Sequence, residues 1–218
     1  MTTTAVSLVH VLVGVVVLLA ASPVLAGWTA ALADGTQRWW GWRRVSRSRL
    51  LTVAVVAVGL GVSASAGRPW PAWLLFAAGG TVLAIVDAQH HLLPARLEYP
   101  LGAAIGLIFT TTALATGEWD RLLRAVLATA VVAIGWSIVA LAAPLAFGLG
   151  DVRLFTLTGG LLGWTSWTAV LHAEIAGFLL AGVTAVVITR TVKGDRGSGM
   201  RVPLGPALIV GSILATRF

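Results

Sequence analysis

Cysteine is absent from this chain of 218 residues, which excludes structural disulfides, thiolate zinc sites and a cysteine nucleophile. Charge is scarce too. Asp, Glu, Lys and Arg make up 11% of the residues, against about 25% in a soluble domain, so the chain cannot cover an aqueous surface. No basic domain is left over to hold nucleic acid. The net charge of +7 comes from residues in short loops between apolar runs, where they act as topology signals and contacts for anionic lipid.

What is present is apolar: 58% hydrophobic residues and a mean hydropathy of +0.93. Runs of about 20 apolar residues cross a bilayer core of about 30 Å. Backbone groups there must bond within their own segment, and runs of this length mean helices rather than barrel strands. The reading is an all-α, polytopic membrane protein. No long linker, low-complexity tract or repeat divides it, so residues 1–218 are read as a single integral-membrane domain.

Candidate spans fall near 4–26, 50–66, 71–87, 99–116, 123–147, 152–166, 168–189 and 203–217, about eight transmembrane helices with the sixth short. The first resembles a secretory signal around Val24-Leu25-Ala26, but Met1 to His10 carries no Lys or Arg. The basic cluster Arg38, Arg43, Arg44, Arg47 and Arg49 follows it instead, which predicts a retained helix with its N-terminus outside. Alternation then puts those five plus Arg96, Arg153, Arg190, Lys193, Arg196 and Arg201 inside, eleven in all, against Arg68, Arg121, Arg124 and Arg217 outside. Trp28, Trp70, Trp73, Trp119, Trp164 and Trp167 lie near span ends, as interfacial anchors do.

Eight carboxylates remain to be placed. Asp34 and Asp195 sit among basic loop residues and are expected to be solvated. Glu118 and Asp120 pair on the surface with Arg121 and Arg124. Glu98 is expected at the interface. Glu174, two residues after His172 inside the seventh run, reads first as a hydrogen-bonded joint between helices and second as a proton-handling or substrate-contacting group. Asp87 and Asp151 end apolar stretches, and the predicted topology brings both to the cytoplasmic face. By position alone each is equally a snorkelling helix-end acid or a catalytic one. Gly148 and Gly150 let another backbone or a substrate approach Asp151, although a loop turn or helix packing also explains them. Pro94 ends the polar break after Asp87 and can start the next helix.

Other chemistries fit poorly. Asp87, His90 and His91 match no zinc motif, and no metal or cofactor is predicted. No G-x-S-x-G occurs, and span hydroxyls lack His and acid partners. Gly102/Gly106 and Gly159/Gly163 form two G-x-x-x-G pairs, each suited to packing within the bundle or to receiving a substrate helix.

Three segments in order resemble the type IV prepilin peptidase family of GxGD membrane aspartyl peptidases. Asp87-Ala88-Gln89-His90-His91-Leu92-Leu93-Pro94-Ala95-Arg96-Leu97 is similar to its first aspartate segment. Gly148-Leu149-Gly150-Asp151-Val152-Arg153-Leu154 is similar to its G-x-G-D-[VF]-K-L segment, with Arg153 in place of lysine. Arg201-Val202-Pro203-Leu204-Gly205-Pro206-Ala207 is similar to its I-P-[FL]-G-P segment. The resemblance covers roughly Leu50 to Leu214.

It implies a multi-pass enzyme of the bacterial cytoplasmic membrane that cleaves leader peptides from prepilin-like precursors of pili, tight-adherence fibres or secretion pseudopili. Such precursors carry a basic leader and an apolar helix. Asp87 and Asp151 are the implied catalytic acids. Pro94, Gly148, Gly150, Arg153, Pro203, Gly205 and Pro206, with Glu174, are the residues expected to shape the site or meet substrate. The stretch from Gly27 to Arg49 is short and free of the family's two C-x-x-C pairs, which points to a peptidase-only form without N-methyltransferase activity. The competing readings are a presenilin-like protease, a transporter or channel using intramembrane acids, and a non-catalytic scaffold. Nothing in the sequence fixes the oligomeric state.

Overall fold

A computed structural model of the chain describes residues 2–33, 53–54, 69–90, 93–142, 148–191 and 205–214. Seven helices lie among them: α1 (Thr2–Ala33), α2 (Trp70–His90), α3 (Ala95–Thr116), α4 (Trp119–Ala142), α5 (Leu149–Gly163), α6 (Trp167–Thr191) and α7 (Gly205–Leu214). No strand occurs among the described residues, in keeping with an all-helical membrane protein. The expected span 50–66 falls outside them apart from 53–54, as do the first basic cluster, His91, Arg201 and Pro203.

Four helices are long and apolar enough to cross a membrane: α1 through Leu12–Thr29, then α2, α3 and α4. α5, with 15 residues, is about 22 Å long, short of a full crossing. The expected short sixth span is therefore a short helix that starts three residues earlier, at Leu149.

Helix α2 is the centre of the bundle. Nearly four-fifths of its most apolar window is buried, against a third or less in α1, α3 and α4. It packs on α1, α3 and α7, while α5 packs on α4, α6 and α7. Leu83, Phe76 and Trp73 of α2 join Leu154, Phe155 and Leu161 of α5 in one core. Trp73 and Trp164 are therefore core residues and not the interfacial anchors expected. Trp73 lies edge-on to Phe76, and Trp164 stacks on Phe109 with ring centroids 4.6 Å apart. Both sit near span ends, but on faces covered by neighbouring helices.

Local signals explain where helices start and stop. Pro94, in extended conformation, precedes α3, and its carbonyl accepts from the Leu97 and Glu98 N–H groups. Gly117 ends α3 in the left-handed conformation (φ 77°), its N–H donating to the Ala113 carbonyl at 2.8 Å. Span hydroxyls bond within their own helices: Thr81 to Ala77, Thr112 to Ile108, Thr129 to Ala125 and Thr156 to Val152.

Of the charged residues around the junction of α3 and α4, one departs from expectation. Glu118 does pair with Arg121 at 2.9 Å. Arg124 instead reaches the end of α5, donating to the carbonyls of Gly163, Trp164 and Thr165 at 2.7, 2.8 and 3.0 Å. A cation there meets the carbonyls that a helix C-terminus leaves unpaired, and its negative dipole end.

Candidate active site

Asp87 lies in the last turn of α2, because the helix continues through the polar residues 88–90. The residue is only 5% exposed. Its Oδ2 accepts a hydrogen bond from the backbone N–H of Gly205 at 2.8 Å, across 118 residues of chain. That N–H is the first of α7, so it has no partner within its own helix and lies at the positive end of the dipole. Glycine is required by distance: a Cβ at Gly205 would fall 2.8 Å from Asp87 Oδ2 and 3.2 Å from its Cβ. Pro206 follows as the second residue of α7, where a missing N–H costs nothing.

Asp151 is the third residue of α5. Its Oδ2 accepts the N–H of Gly148, the residue that caps the helix, at 2.9 Å. Each acid therefore meets the N-terminus of a helix with one oxygen fixed by a glycine N–H, Asp151 within its own segment and Asp87 across the fold. Gly150 supplies a different kind of closeness. A Cβ on it would fall 2.8 Å from the Leu93 Cβ, so the first turn of α5 rests directly on the residue before Pro94.

A third carboxyl joins these segments. Glu98, in the first turn of α3, was expected at the interface but is only 3% exposed. Arg153, two residues after Asp151, reaches it through Nε at 2.6 Å, and its Nη2 donates to the Leu93 carbonyl at 3.2 Å. The guanidinium also lies over the Tyr99 ring, 5.7 Å from its centroid. Glu98 and Arg153 thus tie the first turn of α5, which carries Asp151, to the start of α3, which follows the Asp87 segment. Sequence reading missed Glu98, and an acid three residues into a helix, beside the segment that follows Asp87, was the available signal.

The remaining predicted residues sort clearly. Pro94 starts α3 next to the Arg153 contact on Leu93. Glu174 joins helices: its Oε2 accepts from Trp136 Nε1 at 2.7 Å, linking α6 to α4, and Trp136 stacks on Phe155 of α5. No group of three or more metal-ligating side chains occurs among the described residues.

Comparison with known proteins gives this geometry a family context. The model of the type IV leader peptidase family matches residues 74–189, just over half of the chain, including both Asp87 and Asp151. A prepilin leader peptidase/N-methyltransferase of Stutzerimonas stutzeri is 29% identical over 161 residues, covering 73% of this chain and 52% of its own length. A protein of the same description from Pseudomonas aeruginosa is 27% identical over 152 residues, covering 68% of this chain and 50% of its own. The chain thus spans about half the length of these curated relatives. No solved structure matches it. With the matched segment running through both acids and through the Arg153–Glu98 pair, the chain belongs to the type IV leader peptidase family.

Proposed function

We propose that this chain is a membrane-embedded aspartic endopeptidase that removes the leader peptide from type IV prepilin-like precursors, with Asp87 and Asp151 as its paired acids. The observation that supports this reading is geometric: two acids 64 positions apart are each held by a glycine N–H at a helix start, and Arg153, two residues after Asp151, reaches Leu93 and Glu98 beside the segment that follows Asp87. Two carboxyls close together in surroundings of low polarity cannot both ionise cheaply, so they hold one proton between them and titrate as a pair.

The ionised member takes a proton from a water whose oxygen attacks the scissile carbonyl. The protonated member donates to that carbonyl oxygen. As the C–N bond breaks, a proton passes to the departing amine, leaving a carboxylic acid on the leader and an amine on the mature segment. The assignment of acid and base is left to the pair. Of the two activities in the relatives' descriptions, hydrolysis is the one paired acids supply, and we assign no methyl transfer to this chain.

The substrate reading is a precursor with a short basic leader followed by an apolar helix. Its cleavage point would lie at the cytoplasmic face of a bacterial cell membrane, the face to which the basic-residue bias of the sequence assigns the end of α2 and the start of α5. The test is incubation of the purified full chain with candidate precursors and mass analysis of the product. Asp87→Asn and Asp151→Asn should each lower cleavage by about 10²-fold or more. Cleavage at the unaltered rate in either folded variant would overturn the assignment. A transporter or channel has no comparable support from the matched family.

A further inference from the structure

A groove of about 430 Å³ opens between α3, α4 and α5, and its head is the Glu98–Arg153 pair. From there it runs past Gly102 and Gly106 of α3, facing Gly160 of α5 and Ala125 of α4, to Phe109. Glu98 to Phe109 is eleven residues of helix, about 16 Å or three turns. The two G-x-x-x-G pairs of the sequence part company here. Gly159 and Gly163 are used up inside the bundle, where a Cβ would fall 2.7 Å from a Val132 methyl and 2.6 Å from the Ala128 Cβ. A Cβ on Gly106 would meet nothing within 4 Å, and one on Gly102 only a Leu157 methyl at 3.5 Å. The second pair is therefore bare toward the groove and unused by the fold.

A stripe of small residues is not a site by itself, since lipid can cover it. The head of the groove adds a second observation. Glu98 lines the groove and is buried, and while its Oε2 takes the Arg153 Nε–H, its Oε1 has no hydrogen-bond partner. A buried carboxylate oxygen left without a donor is unfavourable, and it calls for an N–H or ammonium, which an acyl chain does not offer and a lipid phosphate would repel. Hydrolysis at the neighbouring acids leaves an amine on the mature side of the cut and an acid on the leader side, so an oxygen acceptor at the groove head fits the mature side.

We propose that the α3–α4–α5 groove holds the apolar helix of the precursor, the segment that follows the scissile bond, with Glu98 Oε1 accepting an N–H from the junction. This rests on the peptidase reading above. Small residues let the entering helix backbone come close, as in other membrane helix pairs. The groove would then set where along the substrate the cut falls, because the apolar helix can seat only as far as the polar head.

The test uses the full chain in lipid nanodiscs. A photoreactive benzoylphenylalanine at position 106, on the Asp151→Asn background, should crosslink to the mature segment of a bound precursor. The same probe at the lipid-facing Leu19 of α1 should not. In the active enzyme, Gly106→Leu should raise KM for the intact precursor about fivefold more than KM for a peptide ending just after the scissile bond. Crosslinks from position 106 to lipid alone, or an intact-precursor KM untouched by Gly106→Leu, would overturn the groove assignment while the enzyme still cleaves. Failure of the wild-type chain to cleave either substrate would instead remove the peptidase reading, and this inference with it.

Discussion

Arg153 and Glu98 offer an unequal pair to perturb. The Glu98 side chain is 2% exposed and that of Arg153 is 26% exposed. Replacing Arg153 by Met therefore strands a carboxylate that is almost wholly buried. Breaking a buried pair in this direction costs about 3–5 kcal/mol. Replacing Glu98 by Met strands a guanidinium that can turn toward solvent and still donate to the Leu93 carbonyl, so a cost of about 1–2 kcal/mol is expected. The double Met variant removes both charges, and its cost should fall below that of Arg153→Met alone, because apolar replacement of a buried pair is often neutral. Reversible unfolding in mixed micelles, followed by circular dichroism, gives the three values. The singles and the double should differ from additivity by at least about 2 kcal/mol. Equal single costs that simply add would refute the claim that this pair clamps the first turn of α5 to the start of α3. Arg153→Lys should lie nearer to the wild type, since it keeps the charge and loses one of two well-placed donors.

Further outcomes follow from other contacts. Gly205→Ala drives a methyl group to 2.8 Å from Asp87 Oδ2, so precursor cleavage should drop by about 10²-fold or more while the helical circular dichroism signal stays; wild-type cleavage would dissociate Gly205 from the site. Glu174→Gln keeps an oxygen acceptor for Trp136 and should leave cleavage near the wild-type rate, whereas Glu174→Ala leaves the indole N–H unmatched and should cost about 1–3 kcal/mol in the same unfolding measurement. Loss of activity in Glu174→Gln would instead revive the proton-handling reading. A single cysteine placed at Ala88 or Leu149, both exposed, should react with a membrane-impermeant maleimide only from the cytoplasmic side; labelling from outside would reverse the orientation.

Much of the fold was legible because hydropathy alone locates membrane helices. The expected spans 71–87, 99–116 and 168–189 differ from α2, α3 and α6 by four residues or fewer at each end. What the sequence hides is which way each helix faces. Helices apolar on every side carry no stripe to separate protein-facing from lipid-facing residues. Trp73 and Trp164 therefore looked like anchors, and the two G-x-x-x-G pairs looked interchangeable. The burial of Glu98 was hidden for a related reason: it depends on Arg153, 55 positions on, and no spacing rule within one helix reveals a partner on another. Arg124 was misjudged likewise, because carbonyl acceptors at the end of α5 leave no mark in the side-chain pattern.

Gly205 was expected to shape the site, and its contact with Asp87 gives that expectation a physical form. The Gly205 segment contains no acid, base or nucleophile between residues 203 and 207, yet it supplies the N–H that fixes an oxygen of Asp87. A backbone donor is well suited to that task. It is set by the helix that carries it, brings no charge of its own into an apolar bundle, and cannot swing away as a side chain can. Glycine is the one residue that brings such an N–H to 2.8 Å without its Cβ occupying the space of the carboxyl. The same logic holds at the other acid, where the Gly148 N–H fixes Asp151 and the absent side chain of Gly150 lets α5 rest on Leu93. The family match ends at residue 189, before Gly205. If the proposed dyad is the working site, truncation at residue 189 should abolish cleavage even though both acids remain, because Asp87 would lose the only glycine that reaches it from outside the matched segment among the described residues.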